Sequence, residues 1–477
     1  MGMHRKNLAL IFTALAFAAG VAWADKPQHG PVTDPEIVAT VDAKVLRIGK
    51  LVHAVENGGV LYVAGQEGVA AIGSDGKPMW AARLPHADIR TIDVDGSGIA
   101  FVAQNLQAND PGGFEHFIEG SHADIPRYKD TVIGVLDKGR RGAVLWTTPV
   151  EGEARFSPPA LAAARVAATD VWSVVIMDRI TGSEIVRSRA WPKMPFDYYV
   201  DGATRNRPAI IGENVVVGVI GYLRSFDTAS GVENWKKTNH GLMSPFDNIS
   251  AGPILWGDRM VFASVNTTKK GGFGPATGIR GSSKSKVFVA ELKDGDEIWS
   301  ESLDDEDSGV GSLALGGDRL YVATNFVVDA FNTKGKRLWS LDANKENGAV
   351  MPSRVRGVRY FKESKGAAFI EGLFGAESLR MGYRSSLGFC MAADDRYLYL
   401  SSTETSSRPL SSAALLASVW QREANISGRE VITVIDGESG RLVASLDAKG
   451  TIFDLLLVGP NLVAFDADTI RIFRRPG

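Results

Sequence analysis

The hydrophobic residues of this chain fall in short β-rich runs, each fed by a cluster of turn residues. Gly257-Asp258-Arg259 precedes Met260-Val261-Phe262, and Gly317-Asp318-Arg319 precedes Leu320-Tyr321-Val322. Asp394-Asp395-Arg396 leads into Tyr397-Leu398-Tyr399-Leu400, Asn57-Gly58-Gly59 into Val60-Leu61-Tyr62-Val63, and Gly212-Glu213-Asn214 into Val215-Val216-Val217. Branched and aromatic side chains of this kind suit a pleated, largely buried surface. A second turn lies downstream of each run. In Phe226-Asp227-Thr228-Ala229-Ser230-Gly231-Val232-Glu233-Asn234-Trp235, an apolar residue and an acid end one strand. Ser230-Gly231 then makes a tight turn, and Trp235 stands four residues beyond the glycine on the returning strand. The same offset separates Gly76 from Trp80, Gly142 from Trp146, Gly295 from Trp299 and Gly335 from Trp339. Gly182 and Gly440 begin weaker copies, with Val186 and Ala444 in the Trp position. Five tryptophans at one offset from a glycine mark a repeated supersecondary unit.

Each unit reads as strand A, turn, strand B, connection, strand C, turn, strand D. Four-stranded units of about 40 residues are the signature of propeller blades. The expected fold is therefore all-β: an eight-bladed β-propeller of four-stranded blades, closed by N- and C-terminal strands. Blade 1 runs to about Leu84 and blade 2 to about Val150. Blade 3 contains Val174-Val175-Ile176-Met177 and Gly182. Blades 4, 5 and 6 end at Trp235, Trp299 and Trp339, and blade 7 near Ala444. The remaining chain supplies only three strands, Ile452 to Val458, Leu462 to Phe465 and Ile470 to Phe473. The stretch Glu36 to Ile48 holds one unpaired strand, which would complete blade 8 and make 36–477 one closed propeller.

The turn glycines are unevenly spaced. Gly142 to Gly182 and Gly295 to Gly335 are each 40 apart, whereas Gly76 to Gly142 is 66, Gly231 to Gly295 is 64 and Gly335 to Gly440 is 105. Three insertions, at about 105–130, 267–285 and 403–429, separate strands B and C, and the last includes a helix-like stretch, Leu410 to Ala424. A fourth, at about 344–388, separates blades 6 and 7 and is either an insertion or a degenerate blade. Up-and-down strands put the A–B and C–D turns at one end of the ring and the B–C and D–A connections at the other. All four insertions are of the second kind, as are the long links 187–208 and 236–253. Elaboration is concentrated on one face, and function sits on loops held by a rigid scaffold.

The turn-then-Trp repeat resembles that of the pyrroloquinoline-quinone-like β-propellers, over most of the chain after about residue 35. That superfamily holds quinoprotein dehydrogenases and non-catalytic relatives, including the periplasmic propeller of the outer-membrane barrel-assembly machinery. This chain is closest in character to the non-catalytic periplasmic members. The resemblance implies a tryptophan packed between adjacent blades and is nearly silent on function.

Residues 1–24 read as a secretory signal. His4, Arg5 and Lys6 form its basic start, Leu8 to Ala19 its apolar stretch, and Ala22-Trp23-Ala24 its cleavage site. The competing reading is a membrane anchor, since Leu8 to Ala24 is 17 residues long, the lower edge for spanning. Cleavage near Ala24 leaves a periplasmic or secreted chain with no transmembrane segment. The absence of an Arg-Arg pair favours the general secretory route, and no Cys near the site offers a lipid anchor. Residues 25–35 are polar and Pro-rich, a flexible lead-in. Without the leader the net charge moves from −2 to −4, with 51 basic side chains against 55 acidic. That balance argues against nucleic acid or anionic lipid as a generic partner. Cys390 is the only cysteine, so no intrachain disulfide forms. In Gly388-Phe389-Cys390-Met391-Ala392 it reads as a small buried hydrophobe, with a reactive thiol as the alternative.

The chemistry-bearing candidates each have a plain counterpart. Asp93-Val94-Asp95-Gly96-Ser97-Gly98 resembles part of a Ca²⁺ loop, but lacks a distal bidentate acid and falls where an A–B turn belongs. Glu115, His116 and His122 match no metal spacing, and Asp304-Asp305-Glu306-Asp307 reads as a solvated loop. The glycine-rich stretch 271–275 and its flanking Lys269, Lys270, Arg280, Lys284 and Lys286 read as a flexible basic loop or a contact for an acidic partner. The family resemblance would bring a bound quinone (PQQ), a Ca²⁺ ion, an aspartate base and often a vicinal disulfide. The single cysteine excludes the last, the other residues find no positional match, and there is no haem-attachment motif. The expectation is thus no catalytic set, no cofactor and no metal. It is a non-catalytic scaffold that binds another periplasmic or outer-membrane protein. A PQQ-dependent oxidoreductase and a carbohydrate-binding propeller are the alternatives. The contact patch expected for a partner lies in the link before blade 4, Trp191-Pro192-Lys193-Met194-Pro195-Phe196-Asp197-Tyr198-Tyr199. Trp191, Phe196, Tyr198 and Tyr199 sit on a proline-stiffened connection, and the next link adds Met243 and Phe246 beside Pro245. Large rigid rings with a polar handle dominate interface hot spots. The competing reading folds the same rings back over the mouth of the central channel.

Overall fold

The apolar runs pair as antiparallel strands in the order in which they occur. A computed structural model describes residues 32–84, 87–106, 128–151, 156–162, 164–169, 173–189, 207–219, 222–237, 248–266, 284–303, 312–323, 327–342, 390–405, 428–450 and 452–476. Blade 1 is Leu51–Asn57, Val60–Gly65, Gly68–Gly73 and Pro78–Arg83. Blade 2 is Ile89–Val94, Gly98–Leu106, Tyr128–Asp137 and Ala143–Val150. Blade 3 is Ala160–Leu161, Arg165–Thr169, Ser173–Asp178 and Glu184–Arg189. Blade 4 is Ala209–Ile211, Asn214–Val219, Tyr222–Asp227 and Glu233–Lys237. Blade 5 is Asn248–Trp256, Arg259–Asn266, Lys284–Glu291 and Glu297–Ser302. Blade 6 is Ser312–Gly316, Arg319–Ala323, Val327–Asn332 and Arg337–Asp342. Blade 7 is Met391–Ala393, Tyr397–Thr405, Gly428–Asp436 and Leu442–Asp447. Blade 8 takes Asp454–Val458, Asn461–Phe465 and Thr469–Arg474 from one end of the chain and Ile37–Asp42 from the other.

The result is an eight-bladed all-β propeller. Closure is as the strand count predicts: Ile37 pairs with Phe473 and Asp42 with Thr469. One further strand was not anticipated. Val32–Thr33, at the end of the polar lead-in, lies parallel to Ser445–Leu446 as a fifth strand on the outer edge of blade 7. Thr33 Oγ1 donates to Ser445 O at 3.3 Å, and Lys449 joins Asp34 to Asp447. Blades 6 and 7 are direct neighbours. A Cβ added at Gly440 of blade 7 would lie 2.7 Å from the Trp339 ring of blade 6, while the stretch 344–388 lies outside the described residues.

Among the described residues the core is divided into eight apolar clusters, each shared by two adjacent blades. Strand periodicity explains this arrangement. In blade 4, Val215 and Val217 face blade 3, while Val216 faces blade 5. Both faces of a blade are buried, so the central strands read as continuous apolar runs. The repeat signature closes each seam. Each tryptophan lies on the turn glycine of the next blade: Trp80 on Gly142, Trp146 on Gly182, Trp235 on Gly295, Trp299 on Gly335 and Trp339 on Gly440. Trp146, Trp299 and Trp339 also donate Nε1–H to carbonyls of that turn, at 2.6, 3.2 and 2.9 Å. A β-bulge just before this position recurs in strand D of all eight blades and aims the ring across the seam. Ala444 departs from the pattern for a topological reason. Blade 8 has no C–D turn, because its strands C and D come from opposite chain ends, and so it offers no glycine to cover.

The upstream motif fastens the same end of the ring. Arg165, Arg259 and Asn461, each opening a strand B, donate to turn carbonyls of the following blade: Thr228 O at 2.6 Å, Thr333 O at 2.9 Å and Ser74 O at 2.8 Å. Between blades 2 and 3 the direction reverses. Gly98 leaves room, and Arg179 reaches back from the blade 3 turn to Asp95 and to Ser97 Oγ at 2.8 Å.

Candidate interaction face

The two ends of the ring are built differently. At the A–B and C–D end every described connection is a tight turn. At the other end, three hairpins run past the ordinary limit of a blade. Their ladders continue to Leu106 with Tyr128, Asn266 with Lys284, and Thr405 with Gly428, and the insertions of blades 2, 5 and 7 leave from there. The links after Arg189, Lys237 and Asp342 leave by the same end.

The sector over blades 8 and 1 is plain by contrast. Strand B of blade 1 turns directly into strand C, with Gly65 opposite Gly68. The connection from blade 8 forms a short helix, Ala43–Leu46, capped by Asp42, whose carboxylate accepts the Lys44 N–H at 2.8 Å. Ala43 N–H donates to Asp468 O, and Glu67 N–H to Ile48 O, both at 2.8 Å. This sector is closed by its own backbone.

Near the described end of the blade 2 hairpin lies a buried polar seam. Gln104 is its centre: Nε2 donates to Thr131 Oγ1 at 3.0 Å, and Oε1 accepts the Phe156 N–H at 2.9 Å. Ser157 Oγ and Thr169 Oγ1 are 3.1 Å apart. Arg90 pairs with Asp88 and donates Nε–H to Gln104 O at 3.1 Å. Burial pushes the Asp88 carboxyl up, and Arg90 opposes the shift. His53 of blade 1 accepts the Ile92 N–H at Nδ1, at 3.3 Å. These bonds fix the roots of the blade 2 hairpin to blades 1 and 3.

The sequence candidates separate clearly. Asp95 accepts N–H groups from Ser97 at 2.9 Å and Gly98 at 2.8 Å and pairs with Arg179. Burial works against these contacts, yet they hold its carboxyl below the ordinary range. Asp93 accepts the Leu161 N–H at 2.8 Å and pairs with Arg207. Burial pushes its carboxyl up against the pull of Arg207. The stretch is an Asp-Gly turn whose acids fasten blades 2, 3 and 4. Cys390 is buried in the seam between blades 7 and 8, and its thiol donates to Phe453 O at 2.7 Å. Trp191, Phe196, Tyr198, Tyr199, Met243 and Phe246 lie outside the described residues, as do His116, His122 and Asp304 to Asp307. Their flanking strands place both aromatic links at blade 4. The links run from Arg189 toward Arg207 and from Lys237 toward Asn248. Sequence reading missed the Asp93–Arg207 pair and the Gln104 seam, since neither has a local signature.

No family model matches the chain, and no curated protein matches it. Among solved structures it is similar to BamB from Moraxella catarrhalis, at 13% identity over 92% of this chain and 100% of that one, with a TM-score of 0.56. The two share a propeller fold. Kluyveromyces lactis Hsv2p aligns over 74% of this chain and 89% of its own, at 11% identity and a TM-score of 0.40, too slight a likeness to bear on function.

Proposed function

We propose that this chain is a non-catalytic periplasmic scaffold that binds another envelope protein through its insertion-bearing face. The observation that carries the reading is asymmetry. One end of a regular ring is finished with minimal turns, while hairpins at the other end are lengthened to hold insertions. Cores shared with the neighbouring blades hold those roots in place, which lowers the cost of presenting a binding surface. The likeness to BamB and the PQQ-like repeat support a propeller of the envelope type. Secretory processing near Ala24 would deliver it to that compartment. Partner contact is assigned to Trp191, Phe196, Tyr198, Tyr199, Met243 and Phe246, on the two links that enter and leave blade 4. The test is in vivo crosslinking and affinity capture from the periplasm, with Trp191→Ala, Tyr198→Ala and Tyr199→Ala combined. Capture should fall at least tenfold while the melting temperature moves by less than about 2 °C. Undiminished capture, or a large loss of melting temperature, would overturn the assignment of the patch.

A further inference from the structure

We infer that blade 4 is the segment through which the ring opens. Four features of the described residues converge on it. First, its seam with blade 3 lacks the tryptophan. Val186 takes that place, and one of its methyls lies 1.4 Å from where a Cβ at Gly231 would sit. At the tryptophan seams the nearest ring atom is 2.5–2.9 Å from the corresponding point. Ala39 on Gly76, between blades 8 and 1, is smaller still, but among the described residues that seam buries fifteen apolar side chains, against six between blades 3 and 4. Second, on its other side Trp235 is present, but its Nε1–H is buried and finds no acceptor among the described residues. Its counterparts in blades 2, 5 and 6 all reach a turn carbonyl. Third, Ser225, the cross-strand partner of Trp235, is fully buried with an unpartnered hydroxyl. The equivalent positions in other blades are Ala71, Val135, Val289 and Ala330. A buried hydroxyl without a partner opposes folding of the element that contains it. Fourth, the inner strands of blades 3 and 4 are two and three residues long, a shortness matched only by the three residues of blade 7 against five to nine in the remaining blades.

These features are local, so the opening is local. It needs neither a bound partner nor the assignment of the binding patch. It does give the scaffold a means of response. Any ligand that grips blade 4 together with a neighbour binds the closed ring better and so shifts the population toward it.

Hydrogen exchange read by mass spectrometry on the intact protein tests the inference. Amides of Asn214–Val219 and Tyr222–Asp227 should exchange at least tenfold faster than those of Val60–Gly65 and Gly68–Gly73. Ser225→Ala should slow exchange in blade 4 several-fold, and Val186→Ala should hasten it several-fold, with blade 1 unchanged in both. Equal protection of blades 1 and 4 would overturn the inference. So would variants that shift every blade alike, or that leave blade 4 unmoved.

Discussion

At Gly335 two demands on glycine coincide. Its φ is +79°, and a Cβ there would lie 2.7 Å from the Trp299 ring. Gly257 has φ +63° but nothing within 4 Å. The left-handed conformation alone costs a side chain about 1–2 kcal/mol. Gly257→Ala should therefore lose about that much in urea unfolding, and Gly335→Ala about 2–4 kcal/mol, because the indole must also move. The acids that open the C–D turns carry a second expectation. Asp227 accepts the Ser230 hydroxyl at 2.7 Å and its N–H at 2.6 Å, and Asp436 is held likewise by Ser439. These bonds keep both carboxyls below the ordinary range. A lowered folded-state value means stability that is present above about pH 4 and lost as the pH falls through the lowered values. The melting temperature should hold down to about pH 5 and drop below pH 4, with a shallower drop in Asp227→Asn. Asp88 and Asp93 run the other way, since burial raises them and their ionisation opposes folding as the pH rises. The glycines and acids were legible because each acts within a turn. Asp93 with Arg207 was not, because its partner lies two blades away.

Among elements, the edge strand of blade 8 is the most exposed to test. A chain lacking residues through Asp42 should leave the outer edge of Thr469–Arg474 open and aggregate on size-exclusion chromatography. A chain lacking only residues through Pro35 loses the two-residue parallel strand on blade 7. It should stay monodisperse with a melting temperature a few degrees lower. Blade count and closure could be read from the sequence because strands and turns are local and their number is fixed. The parallel strand could not, since two residues carry no alternation. Nor could the bulge in strand D, although the constant glycine-to-tryptophan offset was its trace. The exposed apolar residues Met79, Leu145, Ile298, Leu338 and Val443 fall at this bulge, standing singly around the rim. Scattered singly, they call for no partner.

For the whole molecule, the scaffold reading makes a biochemical forecast. Purified protein given PQQ and Ca²⁺ should show no dye-linked oxidation of alcohols or sugars, and stoichiometric quinone binding with turnover would favour the oxidoreductase instead. The face that carries the proposed function was legible because strand direction assigns every connection to one end of the ring. The polar contacts at the root of that face, Gln104 with Thr131 and Phe156, were not, because they join residues far apart in sequence. Closure has a further consequence, one of timing. Ile37–Asp42 is made long before the strand that receives it, Thr469–Arg474. Blades 1 to 7 need only strands close in sequence, while the early strand stays without its ladder until Thr469–Arg474 has been made. Contacts this distant in sequence form slowly. The ring therefore locks only once both outer strands of blade 8 have been made, so its last seam joins the most widely separated strands of the fold.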